Sequence, residues 1–282
     1  MPSHHRPSAA RVRAMRRAIG IALVVALTLP GCGKALRNFN LISDQEESQL
    51  GQQFSREIEQ EIKLWRNPEV VDYIDDLGQR LVQHSQRSDI PYHIKVVDTD
   101  EVNAFAIPGG YLYVNRGLIS AAENESELAG VMGHEIGHVV GRHGSKQLSK
   151  QYGLQIITSL ILGENPGFVR QLAGGFAGFG GQVGLLRYSR EAETEADLYS
   201  VHELYDAGID PQGMATFFEK LLALHDTEPG GLEKLFSTHP PTRERIAIVR
   251  AEIAKLPPKA YAAKDSDRFH AIQRKLPAMK KK

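Results

Sequence analysis

The stretch Val131–Val140, V-M-G-H-E-I-G-H-V-V, constrains this chain more than any other. His134 and His138 stand four residues apart. On an α-helix, residues at that spacing differ by about 40° in direction, so both imidazoles leave one face. Two imidazoles so placed can reach one Zn²⁺ at roughly 2.0–2.1 Å. Glu135 sits one step round, where a carboxylate can take a proton from an attacking water without binding the metal itself. The flanks predict a buried helix. Asn124 and Glu127 have the spacing of a capping box, and Leu128, Val131, Met132, Val139 and Val140 supply apolar packing.

Two histidines leave the metal short of a third protein ligand. The pattern H-E-x-x-H-x-x-G-x-x-H would place a histidine at 144. Gly141 fits that pattern, but position 144 is glycine and His143 is one place early. If the helix continues, His143 lies about 180° from His134, so the ligand is sought further on. Residues 187–199, R-Y-S-R-E-A-E-T-E-A-D-L-Y, predict a helix with four acids. Glu191 shares a face with Glu195, and Glu193 with Asp197. One pair could supply a ligand carboxylate and an acceptor for the N–H of a ligand histidine. Spacing alone does not choose between them. Glu193 with Asp197 suits the roles, the longer side chain reaching the metal and the shorter orienting an imidazole; Glu191 and Glu195 then face water.

The 282 residues suffice for one large domain or two small ones. The formal net charge of zero hides an uneven distribution. Residues 1–31 hold five arginines and no acid, and the remainder carries 29 basic and 34 acidic residues. Nothing in that balance points to a nucleic-acid partner. The basic stretch to Arg17, the apolar run Ala18–Leu29 and the small residues after it read as a signal peptide. Leu29-Pro30-Gly31-Cys32 resembles a bacterial lipobox, and Cys32 is the only cysteine. The expectation is a lipid-anchored periplasmic protein, with residues 1–32 as signal, 33–254 as the functional domain and 255–282 as a short basic tail. Gly33 after the cysteine points to the outer membrane by resemblance to enterobacterial lipoproteins.

Further along, Ser43 with Glu46 predicts a second capping box before the helical stripe Leu50, Phe54, Ile58 and Ile62. Another helix follows Pro68. Residues 92–98 alternate as a strand, and Pro108-Gly109-Gly110 divides residues 103–114 into a hairpin or sharp bend. A free strand edge there could hold an extended peptide. Residues 146–162 predict a helix, and the glycine-rich segment 163–184 a mobile loop near the site. Residues 211–224 predict a helix, 225–238 a loop, and Pro240-Pro241 the opening of a last helix with His239 just before it.

Three motifs in order, H-E-I-G-H, S-R-E-A-E-T-E-A-D and S-T-H-P-P-T-R-E-R at 237–245, resemble the HtpX and CAAX prenyl protease family of zinc metallopeptidases. The likeness covers roughly residues 40–254 and is strongest to the bacterial periplasmic branch that includes the β-barrel assembly-enhancing protease. It implies Glu193 as the third zinc ligand, with Asp197 orienting a ligand histidine, N-A-F-A-x-P-G-G as the strand beside the cleft, and His239 at that cleft. His239 would act either as donor to the oxyanion or as a fourth zinc ligand in a resting state, with Arg243 and Arg245 adding positive charge. The expected fold is α+β, mainly helical and gluzincin-like with a small sheet. The expected function is zinc-dependent cleavage of misfolded or stalled envelope polypeptides, with one zinc per chain. The rival expectations are a membrane-tethered chaperone or binding factor with little proteolysis, and a hydrolase of peptidoglycan peptides.

Overall fold

Local chemistry sets the element boundaries in the computed structural model, which describes residues 40–162, 187–225, 233–261 and 264–278. Ser43 and Glu46 form the expected reciprocal cap of α1, Asp44–Glu61, whose Leu50, Phe54 and Ile58 are buried. Pro68 takes the first position of α2, Pro68–Val82, where a missing N–H costs nothing. Three strands follow: β1, His93–Val97; β2, Ala104–Ile107; and β3, Tyr111–Asn115. The sheet order is β1-β3-β2, with β1 parallel and β2 antiparallel to β3. The Pro108-Gly109-Gly110 turn closes the β2–β3 hairpin, both glycines at φ 84°. β2 is therefore an edge strand, with Ala106 paired to Leu112 on its inner side.

Helix α3, Arg116–Ala121, leads into α4, Glu125–Val140, the helix carrying the two histidines. Every residue of α4 except Val140 is buried, which places it in the centre of the protein. Asn124 caps it as expected. The box is only half formed, because Glu127 reaches past Asn124 to accept from the Glu123 N–H at 2.8 Å. Helix α5, His143–Leu162, starts a new direction, and α6, Arg190–Asp206, carries the four acids behind a Ser189 cap. Gly137 lets α6 lie directly on α4, for a Cβ there would stand 2.6 Å from the Ala196 carbonyl oxygen.

Helices α7, Gln212–His225, α8, Glu233–Thr238, α9, Arg243–Ile253, and α10, Asp267–Gln273, complete the described elements. Three of these refine the sequence expectations. The predicted loop 225–238 ends in α8. The last predicted helix begins at Arg243, capped by Thr242, rather than at the prolines. The packed unit also continues past residue 254. Phe269 and Ile272 of α10 join the main core, and Gln273 donates to the carbonyls of Ile119 and Ala122 at 3.0 and 2.8 Å.

The main core gathers residues such as Ile74, Leu118, Leu128, Met132, Phe217 and Val249; a smaller one joins Leu50, Phe54 and Ile58 to Tyr113 and Leu148. Among the described residues no helix is long and apolar enough to cross a membrane. The basic start, Cys32 and the glycine-rich segment 163–184 lie outside the described residues.

Candidate active site

Close packing of α4 on α6 brings the predicted residues together. His134 Nε2 and His138 Nε2 are 3.0 Å apart. Glu193 Oε2 lies 3.4 Å from His134 Nε2, and its Oε1 lies 3.5 Å from His138 Nε2. His239, held by its N–H donating to the Leu235 carbonyl at 2.8 Å, projects Nδ1 into the same space. That nitrogen is 3.2 Å from His134 Nε2 and 3.1 Å from Glu193 Oε1. One donor atom from each of His134, His138, Glu193 and His239 lies within 4.8 Å of every other, and all four residues are buried. Ligands at roughly 2.0–2.1 Å around a tetrahedral ion stand about 3.4 Å apart. The observed separations scatter around that value, so this nitrogen-and-oxygen set fits a metal ion of that size.

Asp197 and Glu193 are the inward pair of α6. Asp197 Oδ1 lies 2.8 Å from His134 Nδ1. Burial alone would lower the His134 pKa, but Asp197 and Glu193 outweigh it and push the ring up to about 9 in the metal-free site. The ring of His138 goes the other way, because burial dominates. Burial would raise Glu193, but His239, His134 and His138 hold it far below the ordinary carboxylate range.

Glu135 is buried between this group and the sheet. Its Oε2 accepts from the Ala106 N–H of β2 at 3.0 Å, and its Oε1 lies 3.5 Å from His239 Nε2. Burial raises its carboxyl pKa despite the neighbouring histidines, which brings it nearer to that of a base useful at neutral pH.

Three residues touch the site in ways that the sequence did not indicate. Arg245 is buried and donates to both oxygens of Asp197, at 2.8 and 2.6 Å, while its Nη1 sits 2.9 Å from Glu193 Oε2. The expectation of nearby positive charge holds for Arg245 and not for Arg243, which is exposed. A readable signal existed, for Arg245 precedes Ile246 by one residue and Val249 by four, on the buried stripe of α9. Tyr188 stacks on His138 with ring centres 4.2 Å apart. His143 is the third. α4 stops at Gly141, so His143 is not opposite His134 but folds back to place Nδ1 2.8 Å from His138 Nδ1. It is still not one of the four grouped donors. Of the acids expected to face water, Glu191 is exposed, whereas Glu195 is half-buried and 3.2 Å from His143 Nε2.

The sequence pattern of peptidase family M48 matches residues 68–253. The chain is 32% identical to the β-barrel assembly-enhancing protease of Escherichia coli (strain K12) over 82% of its own length and 48% of that protein. It is 30% identical to the Yersinia pestis protein of the same name, over 79% of this chain and 47% of that one. It thus spans about half the length of these curated relatives. The metalloprotease LoiP of Escherichia coli (strain K12) is 29% identical over 83% of this chain and 95% of its own. The chain belongs to peptidase family M48.

Proposed function

We propose that this chain is a zinc-dependent endopeptidase of the bacterial cell envelope that degrades misfolded or stalled envelope proteins. One observation carries the reading: the Glu135 carboxylate joins an edge strand, through Ala106, to a buried group of three histidines and a glutamate.

His134, His138 and Glu193 are the zinc ligands in this reading. Bound there, zinc supplies Lewis acidity that polarises the scissile carbonyl and lowers the pKa of water. Glu135 takes the proton of the attacking water and delivers it to the leaving amine. Asp197 orients His134, and Arg245 holds Asp197. An extended polypeptide adds to the edge of β2 by main-chain hydrogen bonds, next to the residue that does the proton transfer. His239 serves as a fourth ligand in the resting state. Its position near Glu193 and His134 supports that role over oxyanion donation, and it must withdraw before substrate is attacked.

The envelope assignment draws on the names of the relatives, the signal-like start and Cys32, which would anchor the protein by a lipid to the outer membrane facing the periplasm. A proteomic comparison of envelopes containing wild-type protein or Glu135→Gln tests the substrate class. Envelope proteins should accumulate with the variant, and identical proteomes would count against the reading. Cys32→Ser should abolish lipid labelling and move the protein to the soluble fraction; continued membrane attachment without label would remove the lipid anchor.

A further inference from the structure

His134 meets a carboxylate directly, through Asp197, whereas His138 meets another histidine. A histidine that binds a metal through one nitrogen almost always donates its other N–H to a fixed acceptor, and that acceptor sets the ring's orientation and basicity. His138 Nε2 points into the grouped donors, 3.0 Å from His134 Nε2. Its Nδ1 points out of them, towards His143 Nδ1 at 2.8 Å. His143 Nε2 then lies 3.2 Å from Glu195 Oε2, and Tyr199 donates its hydroxyl to Glu195 Oε1 at 3.2 Å.

We propose that His143 is a positioning residue for the metal site, fixing the ring of His138, with Glu195 fixing His143 in turn. This rests on the reading that His138 is a zinc ligand. The hydrogen-bond directions are then determined along the whole chain. Metal binding through Nε2 puts the His138 proton on Nδ1. That N–H donates to His143 Nδ1, which must be unprotonated. The His143 proton is therefore on Nε2, where it donates to the Glu195 carboxylate. No nitrogen is asked to play two roles.

Two features of the backbone build the contact. Arg142 adopts φ 54°, a conformation uncommon for a residue with a side chain. This residue ends α4 and turns the chain so that His143 folds back onto His138. Its own side chain is tied down, donating to Glu47 Oε2 and to the Ile42 carbonyl, both at 2.7 Å. Gly141 makes room, because a Cβ there would lie 2.4 Å from His143 Nε2. An arrangement that combines an uncommon backbone angle with room left by a glycine beside one imidazole suits a specific task for that imidazole.

The test is the zinc dissociation constant of the full chain, measured by competition with a chelating dye, with folding followed by circular dichroism. His143→Ala should weaken zinc binding about 10–100-fold, the scale for residues supporting a ligand. His143→Asn, whose side-chain oxygen can still accept from His138, should recover most of that loss. Gly141→Ala should resemble His143→Ala by displacing the ring. Glu195→Ala, at a half-exposed position, should weaken zinc several-fold in protein shown folded by circular dichroism, whereas Glu191→Ala should leave it unchanged. Tight zinc binding by the wild type with equal affinity in folded His143→Ala and Glu195→Ala would overturn the inference while leaving the zinc reading intact. Equal losses in His143→Ala and His143→Asn would also overturn it, since a mere packing role gives no rescue. A wild-type chain that binds no zinc would remove the zinc reading and this inference together.

Discussion

Arg245 clamps Asp197 with two N–H donors, Nε to Oδ2 at 2.8 Å and Nη2 to Oδ1 at 2.6 Å, entirely inside the protein. Fork-to-fork pairing of this kind fixes both orientation and charge. The same guanidinium lies 2.9 Å from Glu193, so one cation neutralises two buried carboxylates and ties α9 to α6.

Arg245→Met should therefore destabilise the metal-free protein by about 3–5 kcal/mol, the cost of leaving a buried charge without its partner. Urea denaturation of chelator-treated protein measures this. Arg245→Lys should restore little, because an ammonium cannot make the two parallel bonds. A midpoint unchanged in both variants would show that the clamp carries no stability.

His239→Ala separates the two roles open to that histidine. As a resting-state ligand its removal should leave peptide hydrolysis equal or raised. As an oxyanion donor its removal should lower kcat by roughly 10²–10³. Its Nδ1, 3.1 Å from Glu193 Oε1 and 3.2 Å from His134 Nε2, favours the first outcome. Steady-state kinetics on an unfolded polypeptide decide between them.

Glu203 of α6 is buried, and neither of its oxygens has a hydrogen-bond partner among the described residues. Burial raises its pKa well above the ordinary glutamate value, and Tyr92, itself raised chiefly by burial, is raised further by the Glu203 charge. The folded protein thus binds this proton more tightly than the unfolded chain does. Stability must fall as pH rises above the unfolded value of about 4.3, and goes on falling up to the raised folded value. Glu203→Gln removes the titration. Its urea midpoint relative to wild type should climb as pH rises above the unfolded value of about 4.3, and parallel curves would contradict the assignment.

Much of this site was legible in the sequence because its parts lie within single helices. The four-residue spacings of His134 with His138 and of Glu193 with Asp197 survive folding, since each helix runs unbroken through its pair. The position of His143 was not legible for the opposite reason. Helical phase carries no information across a break, and here the break is made by an arginine at φ 54° rather than by a glycine. The α10 segment hid for want of length: seven residues with two buried apolar side chains, Phe269 and Ile272, give too little periodicity to separate them from a tail. The half-buried state of Glu195 followed from His143 and could not be read without it.

The most direct measurement is the zinc content of Glu135→Gln together with its hydrolysis of an unfolded polypeptide, with Glu193→Ala and Glu191→Ala measured alongside. Glu135→Gln keeps the grouped donors and removes the carboxylate proposed as the base. It should hold about one zinc per chain and cleave about 10²–10⁴-fold more slowly than wild type, the contribution of one general base. Glu193→Ala should lose zinc and Glu191→Ala should keep it. Wild-type cleavage by Glu135→Gln, or full zinc occupancy in Glu193→Ala with loss in Glu191→Ala, would contradict the assignment of these residues.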